Sequence, residues 1–246
     1  MRGPLFSEKM NTVHSRRGVS QKGENPMQAI VETLFDIIYL TTVLTLGVRM
    51  VRRSAGRRQY RLFGWMAVVL GAGDAFHLAP RAVALCTTGL ENYTAALGLG
   101  KWITSVTMTV FYLLLYAVWR ERYRIRGRQG LTALVGLLAG VRILLCMLPQ
   151  NRWLSADAPL VWGIWRNIPF ALLGLVMILL FYRSAKETGD RVFSRMWLTI
   201  ALSFGFYIPV VLWADAVPMV GMLMIPKTCA YVWTVLIGCN AMKQEL

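Results

Sequence analysis

Acidic and basic residues lie inside long apolar segments of this chain, where an ionised group is costly. Glu32 and Asp36 are four residues apart, so a helix presents both on one face. Asp74, His77 and Arg81 follow the i, i+3, i+7 spacing, which again selects a single helical face. Near the centre of a bilayer, an ionised side chain costs about 2.5–3.5 kcal/mol on insertion scales. We therefore interpret these residues as parts of a polar interior.

Three further apolar segments each carry a basic side chain: Arg142, Arg166 beside Asn167, and Lys227. Arginine binds carboxylate or phosphate through its planar fork, whereas an acid accepts an amine or a coupling proton. The polar residues predict an outward-facing intramembrane pocket for a small anionic or zwitterionic ligand, used in transport or sensing. The predicted ligand-binding residues are Glu32, Asp36, Asp74, His77, Arg81, Arg142, Arg166, Asn167 and Lys227. A structural network of buried ion pairs is the alternative.

The elements that hold these residues are predicted to be membrane-spanning helices. Hydrophobic residues make up 56% of the 246 residues and charged residues 16%, against about 45–50% and about 25% in soluble domains. This composition excludes a soluble globular enzyme and a disordered chain. Several apolar segments reach roughly 20 residues, enough to cross a hydrocarbon core. We predict an all-α polytopic membrane protein with seven spans, at residues 27–51, 62–85, 102–119, 131–148, 160–181, 193–213 and 217–242.

Basic residues alternate between the loops of the predicted bundle. Loops one, three and five are rich in arginine and lysine, and loops two, four and six are nearly neutral. By the positive-inside rule, the odd loops and the C-terminus are cytoplasmic, and the N-terminus is outside. The net charge of +15 is explained in this way without nucleic-acid binding. The predicted location is the inner (cytoplasmic) membrane of a bacterial cell, and the bilayer is the predicted partner.

Residues 1–26 form a basic polar tail that contradicts this topology, because its charges resist export. The tripeptide Lys22-Gly23-Glu24 can be encoded by a purine-rich ribosome-binding sequence just upstream of Met27. We therefore predict that translation starts at Met27. Residues 27–246 are then one seven-helix domain encoded by a bacterial gene.

A weak internal repeat emerges at an offset of 130 residues. Arg53-Ser54-Ala55 aligns with Arg183-Ser184-Ala185 without gaps. The same offset pairs Arg61 with Arg191, Phe63 with Phe193, Met66 with Met196 and Phe76 with Phe206. We predict a 3+1+3 parallel pseudo-repeat with helix 4 as the linker, an arrangement found in transporters whose sites lie between the copies.

Motifs for other chemistries are absent from the sequence. It contains no phosphate loop, HExxH zinc motif, nucleophile elbow or dinucleotide fingerprint. The four cysteines lack metal-ligand spacing, and the two histidines are too few for a multi-histidine zinc site. We therefore expect neither a metal nor a cofactor.

A further pattern suggests an enzyme. The chain resembles the lysoplasmalogenase (YhhN) family of polytopic membrane proteins in Gly73-Asp74, Tyr112, Tyr116, Pro169 and residues 228–237. That resemblance implies hydrolysis of the vinyl-ether bond of lysoplasmalogens, with Asp74 as general acid and Asp36 or Asp215 activating water. The chain departs from the family in two respects. It lacks an eighth span, and residues 207–209, at the position of the family's late Ser-Asp motif, do not match that motif. A structural or assembly role is the remaining alternative.

Overall fold

The computed structural model describes residues 26–87, 89–214 and 216–246, and within them all regular secondary structure is helical. Seven helices in this part of the chain are each long and apolar enough to cross a membrane. They are α1 (Pro26–Arg52), α2 (Arg58–Cys86), α3 (Thr94–Arg122), α4 (Gln129–Met147), α5 (Leu160–Thr188), α6 (Met196–Trp213) and α7 (Met224–Glu245). For the described residues, the prediction of an all-helical protein with seven apolar helices is confirmed. The tail before Pro26 and Asp215 lie outside the described residues.

The helices pack in chain order and close into a ring. Each contacts its neighbours in sequence, α1 also contacts α7, and α3 crosses the interior to reach α5. Aromatic side chains fill the middle: the rings of Tyr112, Phe170 and Phe204 contact one another with centroids 5.0–5.6 Å apart. The centre of the bundle is therefore closely packed between α3, α5 and α6.

Several helix boundaries differ from the sequence-based spans: α5, for example, ends at Thr188 instead of residue 181, and the starts of α3 and α7 are displaced. Helix α3 begins at Thr94 instead of residue 102, so Lys101 lies within the helix and not at its end. Gly98 and Gly100 are buried packing positions, because a Cβ at Gly100 would stand 2.3 Å from the Phe76 carbonyl oxygen. Such small residues allow close backbone approach in membrane proteins. Helix α7 starts at Met224, after a 3₁₀ turn at Pro218–Leu223.

One end of the bundle is tied together by four polar side chains, which we call the basic-end cluster: Tyr60, Arg122, Asp190 and Glu245. The Arg122 guanidinium donates two hydrogen bonds to Asp190, at 2.8 and 3.0 Å, and a third to Glu245. The Tyr60 hydroxyl donates to Glu245 as well. The cluster places the start of α2 and the ends of α3 and α7 at the same end as the α5–α6 loop. This is the common end that the predicted topology requires for the odd loops.

Two residues at equivalent positions of the predicted repeat are in contact. Phe63 and Phe193, which are equivalent under the offset of 130 residues, pack edge to face with ring centroids 6.2 Å apart. Their neighbours Met66 and Met196, also equivalent, are both fully buried. Contact between equivalent residues is what a pseudo-twofold axis produces, and the repeat itself stays a prediction.

The basic-end cluster makes stability depend on Asp190. Burial opposes ionisation of this carboxyl, but hydrogen bonds from Arg122 and from the backbone of Phe193 and Val192 hold the pKa of Asp190 below its ordinary 3.8. We expect Asp190→Asn to lower the free energy of unfolding at pH 7 by about 3 kcal/mol, because it leaves Arg122 short of a charged partner. In the native chain this contribution is complete above pH 3.8 and is lost as the pH falls through the depressed pKa.

Thermal unfolding in detergent across acidic and neutral pH measures both effects. The control is Arg58→Gln, which removes the exposed ion pair with Glu121 at 3.4 Å and should change stability by less than about 1 kcal/mol. Equal losses in the two variants would show that the cluster adds no more than a surface pair.

Candidate functional site

Asp74 on α2 stands at the centre of the polar interior. The Tyr39 hydroxyl of α1 donates a hydrogen bond of 2.6 Å to its Oδ2 atom. The Lys227 ammonium of α7, which is 8% exposed, lies within electrostatic range of this carboxylate. The Lys227 Nζ atom lies 5.1 and 5.6 Å from the ring centroids of Tyr207 and Tyr231. One acid and two aromatic faces therefore compensate this buried cation.

Glycines on α2 set the position of Asp74. A Cβ at Gly73 would fall 2.0 Å from the Thr107 Oγ1 atom, so α2 and α3 approach closely only because residue 73 has no side chain. The Thr104 hydroxyl of α3 donates to the Gly73 carbonyl at 3.0 Å. Close packing on this face turns the neighbouring Asp74 toward α1 and α7.

The remaining acids lie beside Asp74 on α1. Glu32 accepts a hydrogen bond of 2.9 Å from Arg81 of α2, forming an ion pair whose side chains are 20% and 33% exposed. Asp36, one turn further along α1, lies within electrostatic range of Arg81, Glu32 and Asp74. Both α1 acids thus lie on the face of α1 that is turned toward α2.

Arg142 on α4 occupies a different environment. It is 2% exposed, and its Cζ atom lies 3.3 Å from the centroid of the Phe170 ring. Its Nε and Nη1 atoms are buried and have no hydrogen-bond partner among the described residues. Leaving buried donors unsatisfied costs about 1–3 kcal/mol each, and more for a charged group. This guanidinium is therefore a strong attractor for an anion.

Arg166 and Asn167 on α5 lie near Arg142. Arg166 donates to the Asn151 Oδ1 atom at 2.9 Å and stacks over the Trp153 ring at 4.2 Å. Asn167 accepts a hydrogen bond of 2.9 Å from the Tyr207 hydroxyl. Because Tyr207 also faces Lys227, it links the α5 residues to the Asp74 centre.

His77 lies one turn beyond Asp74 on α2, within electrostatic range of Lys101, Arg81 and Lys227. Its Nδ1 atom is buried, and the backbone of Leu97 at the start of α3 is close to its ring. His77 thus lies next to α3, whereas Asp74 on the same helix contacts α1.

The nine predicted ligand-binding residues thus fall into two groups. Acids dominate between α1 and α2, while α4, α5 and α7 contribute only cations and Asn167. We call these nine residues the polar layer. Tyr39, Tyr207 and Tyr231 contact its members and belong to it as well, but they were not predicted. Their signal was slight, since a tyrosine in an apolar segment is typical of a packed core. Asp215, the alternative second acid of the enzyme hypothesis, lies outside the described residues.

Two cavities border this layer. A groove of about 150 Å³ lies between α5 and α6; its walls are apolar apart from Asn167 and Tyr207. A wider cavity of about 550 Å³ lies beside the α4–α5 connection and includes Arg152 and Trp153. Neither is lined by Asp74, Arg142 or Lys227, so the outward-open pocket stays a prediction. Among the described residues, no group of three His, Cys, Asp or Glu side chains is placed to hold a metal.

Comparison with known proteins does not assign the chain to a family: no protein-family model, curated protein or solved structure matches it. The resemblance to lysoplasmalogenases therefore stays a prediction. Function is therefore inferred from the geometry of the polar layer.

The Asp74–Lys227 pair makes a measurable prediction. We expect Asp74→Asn and Lys227→Met each to destabilise the bundle, because each leaves one buried charge uncompensated. The double variant should be less destabilised than the sum of the two, with a coupling energy of about 1–3 kcal/mol. Thermal unfolding of the four proteins in detergent measures this cycle. Combination of Asp74→Asn with the distant Arg58→Gln should be additive, and additivity in the Asp74–Lys227 cycle would contradict the pairing.

Proposed function

We propose that this chain is a multi-pass protein of the bacterial inner membrane, with its C-terminus in the cytoplasm. The support is the set of seven apolar helices together with the arginine-rich loops that share one end of the bundle. That end faces the cytoplasm under the positive-inside rule, and the N-terminus lies outside. The bilayer surrounds the apolar outer faces of the helices.

We further propose that the polar layer binds a small anionic or zwitterionic molecule, for transport or for sensing. The observation that carries the proposal is Arg142, a guanidinium buried at 2% exposure with two nitrogen atoms that lack a partner among the described residues. The separation of acids from cations suits a zwitterion: its anionic group faces Arg142 and Arg166, and its amine faces Asp36 and Asp74. A simple anion uses the cationic half alone.

A purely structural network explains the residues around Asp74 better than it explains Arg142 and Arg166. Glu32 and Arg81 form a hydrogen-bonded ion pair, and Asp74 lies within electrostatic range of Lys227, so both contacts can hold helices in register. Arg142 and Arg166 make no ion pair with any acid among the described residues. A network serving packing alone gains nothing from Arg142, because a buried cation without an acid partner carries a desolvation cost.

Uptake measurements in cells test the ligand-binding proposal. We expect Asp74→Asn and Arg166→Ala to abolish uptake of the transported molecule, or the response to it, while both proteins still insert in the membrane. The physical reason is that each substitution removes a charge from the layer that the ligand must meet. Arg58→Gln, at the opposite end, should leave uptake unchanged. Full uptake in both site variants would reject the assignment of the site.

Hydrolysis of a lysoplasmalogen is a second candidate function, favoured by one observation. The carboxylates of Asp36 and Asp74 lie within electrostatic range of each other, as an acid–base pair requires. In this mechanism Asp74 protonates the vinyl ether, and Asp36 activates the water that attacks the resulting cation.

Turnover in detergent separates the enzyme from the transporter, because no gradient exists there. The enzyme adds water to the vinyl ether of a lysoplasmalogen and releases a fatty aldehyde and the chain-free glycerophosphodiester, and Asp74→Asn stops the release. Absence of product from the native chain, with uptake intact in cells, would exclude hydrolysis. If every charge of the layer can be neutralised without effect on either assay, the chain has a structural or assembly role.

A further inference from the structure

The groove between α5 and α6 ends at the polar layer. Its walls are formed by apolar residues of both helices, and Ile168 and Ile208 at its rim are each 44% exposed. In a membrane protein such side chains face lipid tails. At the inner end of the groove the Tyr207 hydroxyl donates to Asn167 at 2.9 Å. The groove therefore joins the lipid-facing surface to a pair of hydrogen-bonding groups.

Arg142 lies directly behind this inner end. Ala171 lines the groove. Its neighbour Phe170 packs against Arg142, whose Cζ atom lies 3.3 Å from the centroid of the Phe170 ring. The Phe170 ring also contacts the rings of Phe204 and Tyr207, with centroids 5.0 and 6.0 Å apart. One layer of aromatic side chains thus separates the groove from a buried cation that no acid among the described residues neutralises. In a medium of low dielectric constant, that cation still attracts an anion on the other side of one layer of side chains.

We infer that the groove binds a single-chain amphiphile with a carboxylate head, such as a fatty acid, which enters sideways from the bilayer. The acyl chain lies against Ile168 and Ile208, and the carboxylate accepts a hydrogen bond from the second N–H of the Asn167 amide, whose first N–H donates to the Gly163 carbonyl at 2.8 Å. Arg142 supplies the balancing charge. This inference rests on the proposed function, because it names the ligand class of the same site. Charge selects the occupant, because the groove is apolar apart from Asn167 and Tyr207 and a buried cation, Arg142, lies one aromatic layer behind its inner end.

Site-mapped photolabelling tests this assignment. The native protein in phosphatidylcholine nanodiscs is irradiated with dodecanoate that carries a diazirine in its chain, and labelled residues are mapped by mass spectrometry. We expect labelling at Ile168 and Ile208 to exceed that at Leu172, an equally lipid-exposed residue of α5, by at least tenfold. Unlabelled dodecanoate should displace the label, whereas dodecyltrimethylammonium should not. Even labelling around the outer surface would overturn the inference.

Matched variants test separately the groove residues that contact the acyl chain and the arginine that balances the carboxylate charge. Ile168→Trp fills the groove and should abolish groove labelling, whereas Leu172→Trp, with 46% exposure in the native residue, should leave it unchanged. Arg142→Gln should reduce groove labelling at least tenfold, since it removes the balancing charge, while Arg142→Lys retains most of it. Unchanged labelling in Arg142→Gln or in Ile168→Trp would contradict the assignment.

Butyrate distinguishes a lipid-borne acid from a water-soluble one. If butyrate displaces the label as well as dodecanoate does, the acyl chain contributes nothing and the inference is wrong, although the proposed binding of a small anion stands. Loss of groove labelling throughout, with uptake still dependent on Asp74 and Arg166, also rejects the inference and leaves the proposed function in place. Dependence of labelling on both the chain and Arg142 supports the inference.

Discussion

The cost of burying ionised groups among apolar helices governs the interior of this protein. The interior meets that cost in two ways. Lys227 is compensated by the Asp74 carboxylate and by two tyrosine rings, and Glu32 is compensated by Arg81. Arg142 has only the face of Phe170, and two of its nitrogen atoms lack a partner within the described part of the chain. The contrast is informative, because a cation that packing alone leaves uncompensated is stabilised by an added anion.

Close helix packing at glycines extends through both halves of the bundle. On α2, a Cβ at Gly64 or Gly73 would stand 2.7 or 2.0 Å from a neighbouring atom, so α1, α2 and α3 are held at close range. On α5, a Cβ at Gly174 would stand 2.0 Å from the Phe204 ring of α6, so the two helices that form the groove are also in close contact. The acids and the cations are therefore both held by closely packed helices.

The sequence predicted the helices better than the contacts between them. Hydropathy located seven spans, and helical spacing placed Glu32, Asp36 and Asp74 on faces that meet. It misplaced the start of α3, because Gly98 and Gly100 are typical of a loop by propensity and become packing positions only when a partner helix is present. The contact of Arg142 with Phe170 was beyond prediction, since a sequence gives the depth of a residue in the membrane but not the rotation of one helix relative to another.

The basic-end cluster explains why a polar layer can exist without loosening the whole bundle. Arg122, Asp190, Glu245 and Tyr60 join four chain segments at the end carrying the basic loops. Trp119 adds a buried hydrogen bond of 3.0 Å to Ser184 one turn deeper, between α3 and α5. Hydrogen bonds and ion pairs therefore fix the spacing of α3 and α5 at this end. The polar layer and the α5–α6 groove lie toward the other end, where ring contacts such as that between Tyr112 and Phe170 set the spacing of the same two helices.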